Sequence, residues 1–338
     1  MKITVLMGGA SSERNVSLAS GLRIVEALRS RGYDVIAFDP SQGLIDEKSL
    51  AGLAASGVGA EPPSLEDLAR STGGSFLPAL ETLSEIADAD VVFLALHGGQ
   101  GEDGTLQALL EMARVKYTGS GHLSSALAMD KDLSKKLFRT AGVQTAEWLM
   151  APATVEEVDQ ALGFPVVVKP SKQGSTVGLT VVKQSDKLQA AIDEAWRYDD
   201  EVMIERFIPG RELTVGILGD RALPVGEIIP VHEIYDYECK YTPGMAREEF
   251  PARLTSEETS RVQDQAVAAF NSLKLRGYAR IDFRLATSDD ADGRGEFYCL
   301  EANTLPGMTE LSLIPQGAAA MGMSFPDLCV EIVRLALK

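Results

Sequence analysis

An α/β fold that opens on a parallel βαβ unit follows from three features of the chain. The run Ile3-Thr4-Val5-Leu6-Met7 is apolar and rich in β-branched residues, as a strand covered on both faces requires. An apolar stripe of Val16, Leu18, Leu22, Val25 and Leu28 predicts a helix over 14–31, and residues 33–38 supply the second strand. Beyond these, strands alternate first with helices and then with one another, so the later regions mix α and β in the α+β manner.

The remaining elements follow in order. Residues 41–88, with Pro62-Pro63 and Gly73-Gly74 among weakly helical pieces, are the least informative. Val91-Val92-Phe93-Leu94-Ala95-Leu96 restores the sheet, and a glycine loop then leads into a helix over 103–113. A middle region opens near Gly121 with helices over 124–129 and 133–141. Strands over 166–169 and 179–183, a helix over 186–197 and the strand Val202-Met203-Ile204-Glu205 complete it. From Phe207 onward come strands over 213–218 and 226–230, a loop over 235–250 and a helix over 256–273. A hairpin with arms near 277–285 and 297–300 and a terminal helix over 325–337 close the chain.

With 338 residues, 45% apolar and 24% charged, the chain has the composition of a soluble globular protein of two or three domains. A formal charge of −17 opposes general binding to nucleic acid or an anionic membrane, so an anionic substrate needs locally gathered Lys and Arg. Cys239, Cys299 and Cys329 are odd in number and far apart, which argues against a disulfide framework or zinc ribbon and for a reducing cytoplasm. No run has the length of a signal-peptide core or a membrane span.

Chemistry concentrates near the C-terminus. Glu301-Ala302-Asn303 follows Phe297-Tyr298-Cys299-Leu300, and residues i and i+2 of a strand share a face, so Glu301 and Asn303 project together. Hard oxygen ligands held in this way suit a magnesium-nucleotide site. Reversal through the polar stretch 286–295 brings Arg280 and Asp282 beside Glu301. A salt-bridged surface hairpin has the same pattern, and a slip of one residue would turn these groups to the other face.

Gly99-Gln100-Gly101-Glu102-Asp103-Gly104 fits the dinucleotide pattern between a strand and a helix. Two carboxylates inside that loop would repel a pyrophosphate, whereas Glu102 and Asp103 suit helix capping. The better phosphate candidate is Lys169-Pro170-Ser171-Lys172-Gln173-Gly174-Ser175-Thr176-Val177-Gly178, whose backbone N–H groups, hydroxyls and lysines can wrap a triphosphate. An ordinary hairpin with exposed lysines reads the same way. Glu13, in the loop after the first strand, either meets a ligand at the carboxyl edge of the sheet or caps the next helix. His97, His122 and His232 lack metal-ligand spacing, and Tyr235-Asp236-Tyr237-Glu238-Cys239-Lys240-Tyr241 is a lid or a packed surface loop.

Taken in order, these segments resemble the D-alanine–D-alanine ligases of the ATP-grasp superfamily over nearly the whole chain. The match includes Glu13 and its loop, His97-Gly98 through Gly104, Tyr117-Thr118-Gly119-Ser120-Gly121, Ala128-Met129-Asp130-Lys131 and the 169–178 loop. It continues through Gly210-Arg211-Glu212, the tyrosine loop, Arg280-Ile281-Asp282 and the segment from Glu301 to Thr309. The resemblance implies a three-domain ATP-grasp architecture. An N-terminal α/β domain would cover 1–120, a central subdomain 121–206, and a C-terminal subdomain with the metal site and lid 207–338.

By the same resemblance, Asp282, Glu301 and Asn303 hold two Mg²⁺ or Mn²⁺ ions, and Lys131, Lys169 and Lys240 contact the phosphates of ATP. Glu205 reads the adenine, Glu212 the ribose, Phe207 and Ile208 line the hinge, and Ser175 and Asn303 complete the nucleotide site. Glu13 holds the first D-alanine's ammonium in a triad with Ser175 and Tyr241, and His97 adds to the substrate site. Arg280 and the backbone N–H of Gly307 form an oxyanion site, while Ser312 and Lys240 hold the second carboxylate. A homodimer is implied, and a monovalent cation is a further candidate cofactor. Thr176, His232, Ile234 and Cys239 depart from the common family residues without removing a catalytic group, and tyrosine at 241 favours an amine as second nucleophile. The rivals are an ATP-grasp ligase of different substrates, a nucleotide-binding module without catalysis, and an NAD dehydrogenase.

Overall fold

The computed structural model describes residues 1–53, 86, 88–232, 234, 235, 239, 242, 244–286 and 295–338. In the first of three sheets, β1 (Lys2–Leu6) runs parallel between β2 (Asp34–Asp39) and β4 (Val91–Leu94), and β3 (Gly43–Leu44) pairs antiparallel at the edge. The crossover helix α1 (Arg14–Ser30) makes the expected βαβ unit, and α2 (Glu47–Leu53) follows β3. The face of α1 that meets the sheet differs from the expected stripe: Ser17, Ser20, Gly21 and Ile24 are buried, while Leu18 and Leu22 only flank the core. Small residues let the helix approach so closely that a side chain at Gly21 would strike Met7.

The core under this sheet is completed from the far end of the chain. Helix α10 (Phe325–Leu337) packs against α1 and β4 through Leu328, Cys329, Ile332 and Val333. After β4 come α3 (Thr105–Met112), α4 (His122–Met129) and α5 (Lys131–Thr140). Helix α5 begins two residues before the expected start, because the Asp130 side chain accepts the Leu133 N–H as its N-cap at 3.0 Å. That shift puts Lys131 in the first turn.

The central sheet is antiparallel, in the order β5 (Trp148–Met150), β8 (Val202–Arg206), β6 (Val166–Pro170), β7 (Thr180–Val182). Helices α6 (Val155–Ala161) and α7 (Leu188–Ala195) cover one face, with Val158, Leu188 and Ile192 meeting Val166, Val168 and Ile204. The third sheet runs β12 (Ala246–Glu249), β11 (Gly226–Pro230), β9 (Arg211–Leu218), β13 (Tyr278–Ala286), β14 (Glu296–Asn303), with β10 (Arg221–Ala222) beside β9. Helix α8 (Ser256–Ser272), held by a Thr255/Glu258 capping box, lies under it, and α9 (Leu313–Ala320) precedes α10. Sequence reasoning missed β5, α6, α9 and β12, all short. Residues 287–294 of the expected turn, together with Lys240 and Tyr241 of the tyrosine loop, lie outside the described residues.

Strand alternation decides what faces the cleft. On β13, Ala279, Ile281, Phe283 and Leu285 enter the core, which leaves Arg280, Asp282 and Arg284 on the opposite face. On β14, Phe297 and Cys299 also enter the core, and strict alternation would take Glu301 in with them. A bulge prevents this: Asp282 pairs with Glu301 but Phe283 pairs with Cys299, so Leu300 is the extra residue. Beyond it the parity flips, Ala302 becomes the core residue, and Glu301 and Asn303 join Arg280 and Asp282. Because Phe283 is fully buried opposite this set, Phe283→Ala is expected to lose about 3–5 kcal/mol of stability, measured by denaturant unfolding.

Candidate active site

Two clefts of unequal size meet at Gly174, Ser175, Tyr235, Arg280 and Leu313. The larger lies between the central and third sheets and is spanned by the Phe207–Ile208 link between β8 and β9. It gathers Lys131, Lys169, Ser175, Glu205, Phe207, Ile208, Glu212, Asp282 and Glu301. The smaller gathers Glu13, His97, Asn303, Gly307 and Ser312. Every sequence-predicted site residue within the described part of the chain therefore lines one cleft or the other.

Glu13 does not use its side chain to cap α1; its carboxylate accepts the Ser175 hydroxyl across the junction of the clefts. Ser175 and Thr176 both hold left-handed backbone (φ 50° and 60°), a conformation that costs roughly 1–2 kcal/mol per residue outside glycine. Strain in two successive residues of a hydroxyl-rich loop points to a loop shaped for a ligand. Gly98, also left-handed, leaves room for Glu13: a Cβ there would sit 2.9 Å from its Oε2.

In the larger cleft, Glu205 is buried between two ammoniums, Lys135 on Oε1 and Lys169 on Oε2 at 2.7 Å. Burial drives the Glu205 carboxyl upward, but the two lysines outweigh it and bring it down to about 2. Glu212 pairs with Arg284, whose Nε donates to the hinge carbonyl of Ile208 at 3.1 Å. Lys131 lies 3.2 Å from Glu301 and donates to Gln173 O at 2.7 Å, which ties the 169–178 loop to β14.

Asp282 is the hub of the cleft face. It accepts Arg280 Nε and Nη2 at 3.0 and 2.9 Å, the Thr214 hydroxyl at 2.7 Å and the Asn303 amide at 2.9 Å. Among the described residues no group of three or more His, Cys, Asp or Glu forms a metal cage. Magnesium seldom has one; it takes one or two carboxylates and completes its shell with substrate phosphates and water. Asp282 and Glu301 on adjacent strands, with the Asn303 carboxamide on the same face, fit that donor set once the Asn303 oxygen turns inward.

The smaller cleft is walled by residues 305–308, clamped to the first sheet. His97 Nδ1 bonds Leu305 O at 2.8 Å, so Nδ1 carries the proton and Nε2 accepts from Ser20 Oγ at 3.2 Å. Ser20 Oγ in turn accepts the Met308 N–H at 3.1 Å. Burial lowers the His97 pKa against the pull of Glu13, keeping the ring neutral. Both ring nitrogens serve the clamp, while the ring lines the smaller cleft. At Gly307 a Cβ would stand 2.7 Å from Ser312 Oγ, so a side chain there would displace that hydroxyl.

Four residues of this site escaped sequence reasoning in these roles: Thr214, Tyr235, Lys135 and Glu102. Thr214 alternates with Glu212 on β9, and Lys135 lies one helical turn from Lys131, patterns that mark a shared face. Glu102 was expected as a helix cap; Asp103 takes that part through the Thr105 N–H at 2.8 Å, while Glu102 accepts the N–H groups of Gly98 and Leu305.

The architecture is that of an ATP-grasp protein, with two α+β lobes flanking the larger cleft. A family model described as D-ala D-ala ligase N-terminus matches residues 2–120, and one described as D-ala D-ala ligase C-terminus matches 131–334. The D-alanine–D-alanine ligase of Geobacter sulfurreducens is 43% identical over 98% of this chain and 93% of its own; that of Halalkalibacterium halodurans is 41% identical over the full length of both. The crystal structure of D-alanine–D-alanine ligase from Bacillus anthracis complexed with ATP superimposes with a TM-score of 0.75 at 33% identity, covering 100% of this chain and 97% of that one. The chain belongs to the D-alanine–D-alanine ligase family.

Burial and the neighbouring Glu13 raise the Glu102 carboxyl to about 7. Between the ordinary glutamate range and that value the folded protein holds a proton that the unfolded chain has lost, so stability falls as the pH rises through this window. Glu102→Gln is expected to remove this fall, up to ~1.4 kcal/mol per pH unit, in unfolding curves recorded from about pH 5 to 7.

Proposed function

We propose that the chain joins two D-alanine molecules into D-alanyl-D-alanine through a D-alanyl phosphate, releasing ADP and phosphate, for peptidoglycan precursor synthesis. The meeting of the two clefts at Ser175 and Arg280 carries this reading, because a transferred phosphoryl group and an acceptor carboxylate must share one point. Lys131 and Lys169 offset the repulsion between those anions, a role the family resemblance also gives to Lys240. Mg²⁺ or Mn²⁺ at Asp282, Glu301 and Asn303 would neutralise the terminal phosphate oxygens and hold them in line. Glu205 and Glu212 orient adenine and ribose.

Glu13, positioned through Ser175 and Tyr241, holds the first ammonium. Arg280 and the Gly307 N–H stabilise the oxyanion that develops when the second amine attacks, and Ser312 with Lys240 holds the second carboxylate. His97 and Ser20 fix the loop that presents Gly307. The units 1–120, 121–206 and 207–338 act as the three domains of a cytoplasmic homodimer.

Incubation with Mg·ATP and D-alanine should yield D-alanyl-D-alanine and phosphate in equal amounts, with L-alanine giving none; a product from another amino-acid pair reassigns the substrate. Arg280→Ala should keep ATP binding and lower the ligation rate on the order of 10²–10³-fold, and turnover within a few-fold of the parent removes Arg280 from the oxyanion site. Asp282→Ala should raise the Mg²⁺ concentration needed for half-maximal rate; an unchanged titration strikes it from the ligands.

A further inference from the structure

Lys135 has no part in the roles assigned above. Its side chain is wholly buried and lines neither cleft; the ammonium donates to Thr145 Oγ1 at 2.6 Å and to Glu205 Oε1. Thr145 passes the chain on to Cys299 O at 2.7 Å, so Lys135 is anchored to β14 as well as to β8. Lys169 donates to the other oxygen of the same carboxylate, and unlike Lys135 it forms part of the cleft wall.

One buried carboxylate thus carries two ammoniums, and the group of three has one positive charge too many. A buried cation without an anion is strongly disfavoured, and burial pushes the Lys135 ammonium below the ordinary lysine range, with Glu205 opposing. The surplus reaches the cleft only through Lys169. An anion arriving there balances the group, provided Glu205 keeps a second partner. Without Lys135, drawing Lys169 toward a phosphate would strand the carboxylate. The other titratable group facing this cluster is the Cys299 thiol on β14, which burial holds protonated.

We infer that Lys135 is a positioning residue for the nucleotide: it keeps Glu205 ionised and balanced, which frees Lys169 to take an oxygen of the triphosphate. The inference rests on the proposed contact of Lys169 with the ATP phosphates.

The test is calorimetric titration of the full chain with Mg·ATP near pH 8 in two buffers of different ionisation enthalpy. Lys135→Met should weaken binding at least about ten-fold and take up a proton beyond any taken up by the parent, since Glu205 must protonate as Lys169 leaves it. Parental affinity with no extra proton overturns the inference, because lost packing alone would not change the proton count. Lys169→Met separates the two readings: unchanged affinity there removes the phosphate contact itself, whereas a loss there with parental binding in Lys135→Met overturns the role of Lys135 alone. Should Lys135→Met fail to fold, Glu205→Gln is compared with the double variant Lys135→Met, Glu205→Gln. Equal affinities uphold an action through the Glu205 charge, and a further ten-fold loss in the double variant overturns it.

Discussion

The bulge at Leu300 is the constraint on which the site depends. A regular β14 would bury Glu301 beside Cys299 and turn Asn303 after it, leaving Asp282 as the one candidate metal ligand of the three on the cleft face. One inserted residue lets a single strand serve the core with its first half and the cleft with its second. The rest of the arrangement assembles on that turn of face. Lys131 reaches Glu301, Asn303 reaches Asp282, and the clamped loop that follows carries Gly307 toward Arg280.

Charge is handled differently around the two buried carboxylates of the larger cleft. Around Asp282 a guanidinium, a hydroxyl and a carboxamide converge on one carboxylate. Around Glu205 the carboxylate is outnumbered by ammoniums. An acidic chain of net −17 thereby offers a locally cationic floor to an anionic nucleotide. The neutral His97 belongs to neither group: its single N–H holds the Leu305 carbonyl, and its other ring nitrogen accepts from Ser20.

Much of this was legible in the sequence because it rests on period and spacing. The βαβ unit, the hairpin, the terminal helix and the 169–178 loop follow from alternation, and the pairing of Asp282 with Glu301 places the predicted ligands together. What was not legible depends on tertiary contact. The Leu300 bulge has no local signature, since Phe297-Tyr298-Cys299-Leu300 reads as an unbroken apolar strand. The stripe of α1 held at Val16, Val25 and Leu28 but omitted Ser17, Ser20 and Gly21, buried for their small size, which hydrophobicity does not reveal. His97 sits on the cleft wall as expected, yet its partners lie far away in sequence at Ser20 and Leu305.

The packing of α10 on α1 and β4 bears on how the protein is made. The sheet of β1–β4 lacks one of its covering layers until α10, far downstream in the sequence, has been synthesised. Packing of α10 thereby couples two segments distant in sequence through one shared core.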